Sequence, residues 1–247
     1  MNRYDLDRRS ESDGPAPYLE WKYALEGPAS RYIPFLELVL KKHKGAKYPV
    51  DPLLFVALMR QESNFNSRDV SGVGAAGLTQ IMPGTAENLG MKNIFVPPYF
   101  KEAGKLMDRE RVLRRRAMAL VRSITEENAA GHARRARKLM QESLHCRATR
   151  KKLFTRYKRE LLKKDEDDRL DPRKAIEHGF KYFSSMMNIQ KGDISLALAS
   201  YNAGPHRVKQ YGGVPPFTET VNFRNRVLRY YRDYLRKVKM NYREGSK

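Results

Sequence analysis

The sequence predicts a mainly α fold with a small β-hairpin region and a strongly basic helical segment, on three observations. Two Asp-Pro pairs, Asp51-Pro52 and Asp171-Pro172, each precede apolar residues at helical spacing, the pattern of an N-cap followed by proline at the first helical position. A Gly-rich stretch from Ser71 to Gln80, SGVGAAGLTQ, separates helical runs and reads as a loop or small hairpin. Residues 101–170 hold 22 basic and 11 acidic side chains in helix-like segments, about half of the formal charge of +21. With 247 residues and 40% hydrophobic content the chain can bury a real core, as one large domain or a core domain with an embellishment.

In chain order, residues 1–29 mix charges, Pro and Gly, with Tyr18, Leu19, Trp21 and Tyr23 as apolar anchors, and read as an arm that docks on the body or stays free. Tyr32 to His43 has helical apolar spacing, with Pro34 in the first turn and Gly45 closing the segment. The helix opened by Asp51-Pro52 runs through LLFVALMRQES, and a short helix follows near Gly84 to Leu89. The basic block divides into segments at Met107 to Ile124, Asn128 to Leu144 and Lys151 to Lys164. After Asp171-Pro172 come apolar helices at Ala175 to Met187 and Ile194 to Tyr201, then a basic helix from about Thr220 to Tyr242. There is no internal repeat and no low-complexity tract.

An excess of 49 Lys and Arg over 28 Asp and Glu points to a polyanionic partner, whether nucleic acid, anionic membrane or anionic polymer. The single cysteine, Cys146, excludes an intrachain disulfide, and no Cys/His set has zinc spacing, so no metal is expected. The first thirty residues contain no apolar h-region, and no stretch of about 18 apolar residues occurs, so no transmembrane segment is expected. Either a leader was removed before this numbering begins, or export takes another route.

Phe55, Leu58 and Glu62 stand at i, i+3 and i+7, so a carboxylate shares the helix stripe that should face the core. Burial disfavours the charged form and raises the pKa, as a general acid working near neutral pH requires. The competing reading is an exposed glutamate at a helix end, paired with Arg60 or a neighbour.

Around Glu62 the sequence holds an ordered set of motifs: Glu62-Ser63-x-Phe65, Ser71-x-x-Gly74-Ala75-x-Gly77-Leu78-x-Gln80-x-Met82-Pro83-x-Thr85-Ala86, Asp171-Pro172 with Gly179 and Tyr182, Ala197-Leu198-Ala199-x-Tyr201-Asn202-Ala203-Gly204-Pro205, and Glu219-Thr220. Together these resemble the soluble lytic transglycosylase family over about residues 30–95 and 170–235. The resemblance implies a goose-type, lysozyme-like catalytic domain at 30–100 and 170–247. It makes 101–169 an inserted basic helical subdomain, because about 75 residues, from about 95 to 170, stand where the family has a connection of roughly ten to twenty.

The resemblance also implies roles. Glu62 and Tyr201 are the catalytic pair, with the Tyr201 hydroxyl close to Glu62. Ser71 and Gln80 are hydrogen-bonding groups beside the scissile bond, and Met82 packs on the sugar. Asn202 bonds either substrate or the loop after it, and Glu219 shapes or binds at the far side of the cleft, with a simple salt bridge as its alternative. The glycines near Glu62 leave room for a bulky glycan, a reading compatible with a plain tight turn. Goose-type lysozymes carry water-positioning aspartates where this chain has apolar residues. The implied reaction therefore needs one carboxylate and no cofactor: peptidoglycan is cut between N-acetylmuramic acid and N-acetylglucosamine, leaving a 1,6-anhydro sugar. Thr79, His206 and Phe223 depart from the usual family residues and bear on subsite shape.

Three rivals stand beside this reading. A muramidase of the same fold would admit water in place of the C6 hydroxyl. A catalytically idle wall-binding protein would not be expected to keep Glu62, Gln80 and Tyr201 together. A nucleic-acid surface would use Arg114-Arg115-Arg116, Arg134-Arg135 and Lys151-Lys152 beside Phe154 and Tyr157. No nucleic-acid motif is present, and anionic wall polymer accounts equally well for the charge. The expected setting is periplasmic or secreted, and the expected state a monomer.

Overall fold

The computed structural model describes residues 21–244, with side chains through residue 239; Tyr18 and Leu19 of the N-terminal arm lie outside the described residues. Two 3₁₀ turns, Trp21–Ala24 and Gly27–Tyr32, lead into α1 (Ile33–Lys42). Trp21 is buried and joins the main core, so this end of the arm docks, while Tyr23 is exposed.

Helix α2 (Pro52–Ser63) starts as its sequence dictates: Asp51 Oδ1 accepts from the backbone N–H groups of Leu53 at 2.8 Å and Leu54 at 3.3 Å. The single apolar stripe expected for it is a correction, because every residue from Pro52 to Met59 is buried. A helix apolar all round belongs in the centre of a fold. Around it stand α6 (Pro172–Ile189), α7 (Ile194–Ala203) and α9 (Thr218–Glu244), the last packed along α2, while α3 (Pro83–Leu89) packs on α6 and α8 (Pro205–Tyr211) on α7. The sequence reading did not anticipate α8. Asp171 caps α6 through Lys174 N at 2.9 Å, and Asp193 caps α7 through Leu196 N at 2.9 Å.

The basic block forms two long helices instead of the three segments read from sequence: α4 (Pro98–Arg122) and α5 (Ala129–Lys164), packed on each other as a hairpin. The expected break after Leu144 is continuous helix, because Cys146 is buried there and Arg150 pairs with Glu110 at 3.0 Å. The last turns of α5 belong to the body. Tyr157 and Leu161 form a second core with Val70, Ala76 and Leu170, against which Phe95 and Phe100 pack.

The expected β-hairpin region contains no strand among the described residues; it is reduced to two single-residue bridges, Val70 with Ala76 and Ala76 with Ile81. Gly74 and Gly77 interrupt pairing at φ +94° and +79°. They also correct the sequence reading that these glycines leave space for glycan. A β-carbon at Gly77 would collide with the carbonyl oxygen of Arg169, and one at Gly74 with the ring of Phe100, so protein fills both places. No described helix is long and apolar enough to cross a membrane.

Candidate active site

Glu62 sits in the last turn of α2, where the chain leaves the helix through two successive left-handed residues, Asn64 (φ 48°) and Phe65 (φ 65°). A bulky residue in that region is strained and needs surroundings that hold it. Tyr32 supplies them: its hydroxyl donates to the Phe65 carbonyl at 3.0 Å, and the two rings stack with centroids 6.5 Å apart. Ser63 ties the same helix end to the Gly-rich loop by donating to the Leu78 carbonyl at 2.9 Å.

Glu62 is half-buried, and among the described residues its carboxyl has no ion pair or hydrogen bond to another side chain. Arg60, its alternative partner in the sequence reading, instead lies over the rings of Tyr230 and Tyr234 on α9, 4.3 and 5.9 Å from their centroids. Desolvation pushes the Glu62 carboxyl up to about 8, and the neighbouring Glu219 carboxylate adds to the rise. The group is therefore largely protonated at neutral pH, and no deeply buried side-chain oxygen lacks a hydrogen bond among the described residues, so its unpartnered oxygens face accessible space.

Tyr201 is buried near enough to Glu62 for the carboxylate to raise its phenol pKa further, after burial itself. Its proton is committed elsewhere, since the hydroxyl donates to the Thr79 carbonyl at 2.8 Å. The ring is held by Tyr182 and Phe183, with centroids 5.0 and 5.9 Å away. Gln80, itself at φ 46°, donates through Nε2 to the carbonyls of Gly77 at 2.9 Å and Asp69 at 3.1 Å. Ser71 Oγ accepts from Ala75 N at 2.9 Å and Val73 N at 3.3 Å.

All these bonds serve one purpose. A loop from Asp69 to Met82 with almost no ladder satisfies part of its backbone by turns within itself and leaves the remaining carbonyls to side-chain donors. Donors converge on it from several elements: Ser63 on α2, Tyr201 on α7, Lys158 on α5 to the Val70 carbonyl at 3.1 Å, and Arg169. Arg169 is the centre of this support, a role the sequence reading missed, since there it is only one of the 22 basic side chains of residues 101–170. It is 1% exposed. Its guanidinium bonds both oxygens of Asp167 at 2.9 and 2.8 Å, the carbonyls of Gly74 at 3.0 Å and Ile81 at 3.3 Å, and Tyr157 Oη at 2.6 Å. Asp167 also accepts from Phe95 N at 2.8 Å. Its one sequence signal is an arginine placed directly after four acidic residues, Asp165 to Asp168.

Of the remaining expected site residues, Met82 is exposed at the start of α3. Asn202 Oδ1 accepts from Thr220 Oγ1 at 2.8 Å, joining α7 to α9. Glu219 is exposed in the first turn of α9 and has no ion pair among the described residues, so its salt-bridge alternative is not realised there. Two of the three departures are buried: Thr79 is fully buried against Gly179, donating to the Ala175 carbonyl at 3.1 Å, and Phe223 is in the core. His206 is exposed.

Asn202 and Glu219 open onto a cleft of about 1170 Å³, whose near wall also includes Ala203, Arg207, Phe217 and Thr220. Its opposite wall is α4. Glu62 is not among the wall residues, and its link to the cleft runs through the Glu219 carboxylate.

A family model described as the transglycosylase SLT domain matches residues 40–112 and 101–223. A protein named transglycosylase, from Enterobacteria phage PRD1, is 42% identical over 66 residues, 27% of this chain and 25% of that protein. The chain thus spans about a quarter of the curated relative it matches. Among solved structures, an inactive mutant of the lytic transglycosylase Slt from Pseudomonas aeruginosa aligns with a TM-score of 0.46 and 22% identity, over 84% of this chain and 24% of that one. The 70 kDa soluble lytic transglycosylase from Escherichia coli aligns with a TM-score of 0.43 and 21% identity, over 80% and 24%. Because the two overlapping family matches together run from residue 40 to residue 223, the chain belongs to the transglycosylase SLT domain family.

Proposed function

We propose that this chain is a lytic transglycosylase that cleaves peptidoglycan glycan strands between N-acetylmuramic acid and N-acetylglucosamine, with Glu62 as acid and then base. The observation that supports it best is a single half-buried carboxyl, held protonated at neutral pH and unpaired, at the end of a rigid central helix. Glu62 protonates the glycosidic oxygen as its bond to C1 breaks. The substrate's N-acetyl group stabilises the cationic centre, so no protein nucleophile is needed. The Glu62 carboxylate then takes the proton from the muramic C6 hydroxyl, whose oxygen closes on C1 and gives the 1,6-anhydro ring. The proton count balances and Glu62 ends as it began. Met82, Ser71, Gln80, Asn202 and Glu219 flank the bound glycan. Residues 30–100 and 170–247 form the catalytic domain, and a monomer acts in the periplasm or outside the cell.

Mass spectrometry of products from purified sacculi tests this reading, because anhydro and reducing muramic ends differ by one water. Anhydro ends are expected. Reducing ends would make the chain a muramidase, a reading favoured by the proximity of Glu219, a second carboxylate able to orient water.

Tyr201 acts as a positioning residue in this scheme, through the Thr79 carbonyl and the loop beyond it. Tyr201→Phe is expected to lower kcat by about tenfold with a smaller change in KM. It should also destabilise by about 1–3 kcal/mol, since the buried carbonyl loses its donor. Unchanged kcat with weaker affinity would move Tyr201 to substrate binding.

A further inference from the structure

Helix α4 has two faces of different character. Ala103, Leu113 and Ala117 are buried on the side that packs with α5. The other face carries Asp108, Arg111, Val112, Arg115, Met118 and Arg122, spaced at three, four, seven, ten and fourteen residues, and all six line the large cleft. This face is exposed, yet it is not an ordinary solvated face: it looks across the cleft at Asn202, Thr220 and Glu219, with Arg207 of α8 beside them. Arg115 and Arg122 have no ion-pair partner among the described residues, and Arg111 reaches Asp108 only at 3.7 Å.

We propose that this face of α4, together with Arg207, is a binding subsite for the acidic stem peptide of the strand being cut, and that it makes the enzyme prefer peptide-bearing over bare glycan. The inference rests on the proposed reaction at Glu62 and names what lies beside it. From Asp108 to Arg122 the helix spans about 21 Å at 1.5 Å per residue. An extended peptide of about six residues, at 3.3–3.6 Å each, covers the same length. The chemistry also suits a peptide. Cations alternate with Val112, Met118 and Phe217, which match carboxylates interspersed with small aliphatic side chains. Two carboxylates in the same walls, Asp108 and Glu219, would oppose a continuous polyphosphate, so nucleic acid fits this cleft less well.

The test measures binding apart from cleavage. In a Glu62→Gln background, affinities are compared for glycan oligomers carrying stem peptides and for the same oligomers stripped of peptide. Arg111→Gln, Arg115→Gln and Arg122→Gln combined should weaken binding of the peptide-bearing chains by about tenfold, as a few exposed charge contacts allow. The same variant should weaken bare chains far less, so the ratio of the two affinities falls. A control of equal charge, Arg134→Gln, Arg135→Gln and Arg137→Gln on the exposed side of α5 outside the cleft, should lower adsorption to whole sacculi at low salt but keep the ratio. An unchanged ratio in the α4 variant overturns the proposal, as does an equal fall in the control. Loss of retention by single-stranded DNA without any change in the ratio also overturns it and assigns the face to nucleic acid. If the parent enzyme cuts neither substrate while the binding contrast persists, the reaction proposed above fails and the subsite stands.

Discussion

Glu62→Gln is expected to abolish cleavage of sacculi while leaving the fold intact, with a rate loss on the order of 10² to 10⁴ or more, because an amide of the same shape cannot deliver a proton. The same substitution should make the protein more stable at neutral pH. Glu62 has an ordinary value of 4.5 in the unfolded chain and about 8 in the folded one, so between these the native state binds more protons than the unfolded state. Stability then falls as pH rises across that window, and levels off above it. Glutamine does not titrate and escapes the loss. The melting temperature of Glu62→Gln minus that of the parent should therefore be near zero below pH 4.5, grow through neutrality and plateau above pH 8. Activity of the parent should decline as pH rises through about 8, when the general acid loses its proton. A flat melting difference from pH 4 to 9 would mean that Glu62 is not desolvated; retained turnover would remove it from catalysis.

Helix starts were the most legible part of the fold, because they are local chemistry. Asp51 and Asp171 each place a carboxylate on an N–H group two or three residues ahead, and each proline follows where its missing N–H costs nothing. Helix α8 was not legible, since seven residues between Gly204 and Gly212 are too short for a periodic signal. The continuity of α5 was hidden for another reason: its polar middle is held in place by pairing with α4, a tertiary effect. In the site, Glu62 was visible from its register with Phe55 and Leu58. What pattern could not show was direction. Nothing in the sequence pattern of Tyr201, Gln80 and Ser71 shows that they also hold the loop, through the Tyr201 hydroxyl, Gln80 Nε2 and Ser71 Oγ. An irregular loop buried against two cores demands many donors, and only the folded arrangement reveals which side chains supply them.

Arg169→Met is expected to be the most destabilising single change in the supporting structure. The side chain is of similar length, but it removes a fully buried guanidinium and leaves Asp167 charged, with only backbone N–H groups as donors. Removing one partner of a buried ion pair typically costs about 3–5 kcal/mol, because the other charge is stranded. The Gly74 carbonyl also loses its donor, and the Ile81 carbonyl keeps only the backbone N–H of Ala76, which loosens both ends of the segment holding Gln80. For a protein of this size the melting temperature should drop on the order of 10 °C, and kcat should fall with it even where the protein remains folded. Adding Asp167→Asn in the same chain should recover part of the lost stability, since the stranded charge is gone. It should not restore kcat, since the loop carbonyls still lack the guanidinium. A melting temperature within about 2 °C of the parent for Arg169→Met, or a double variant as unstable as the single one, would show that the pair contributes nothing beyond its packing.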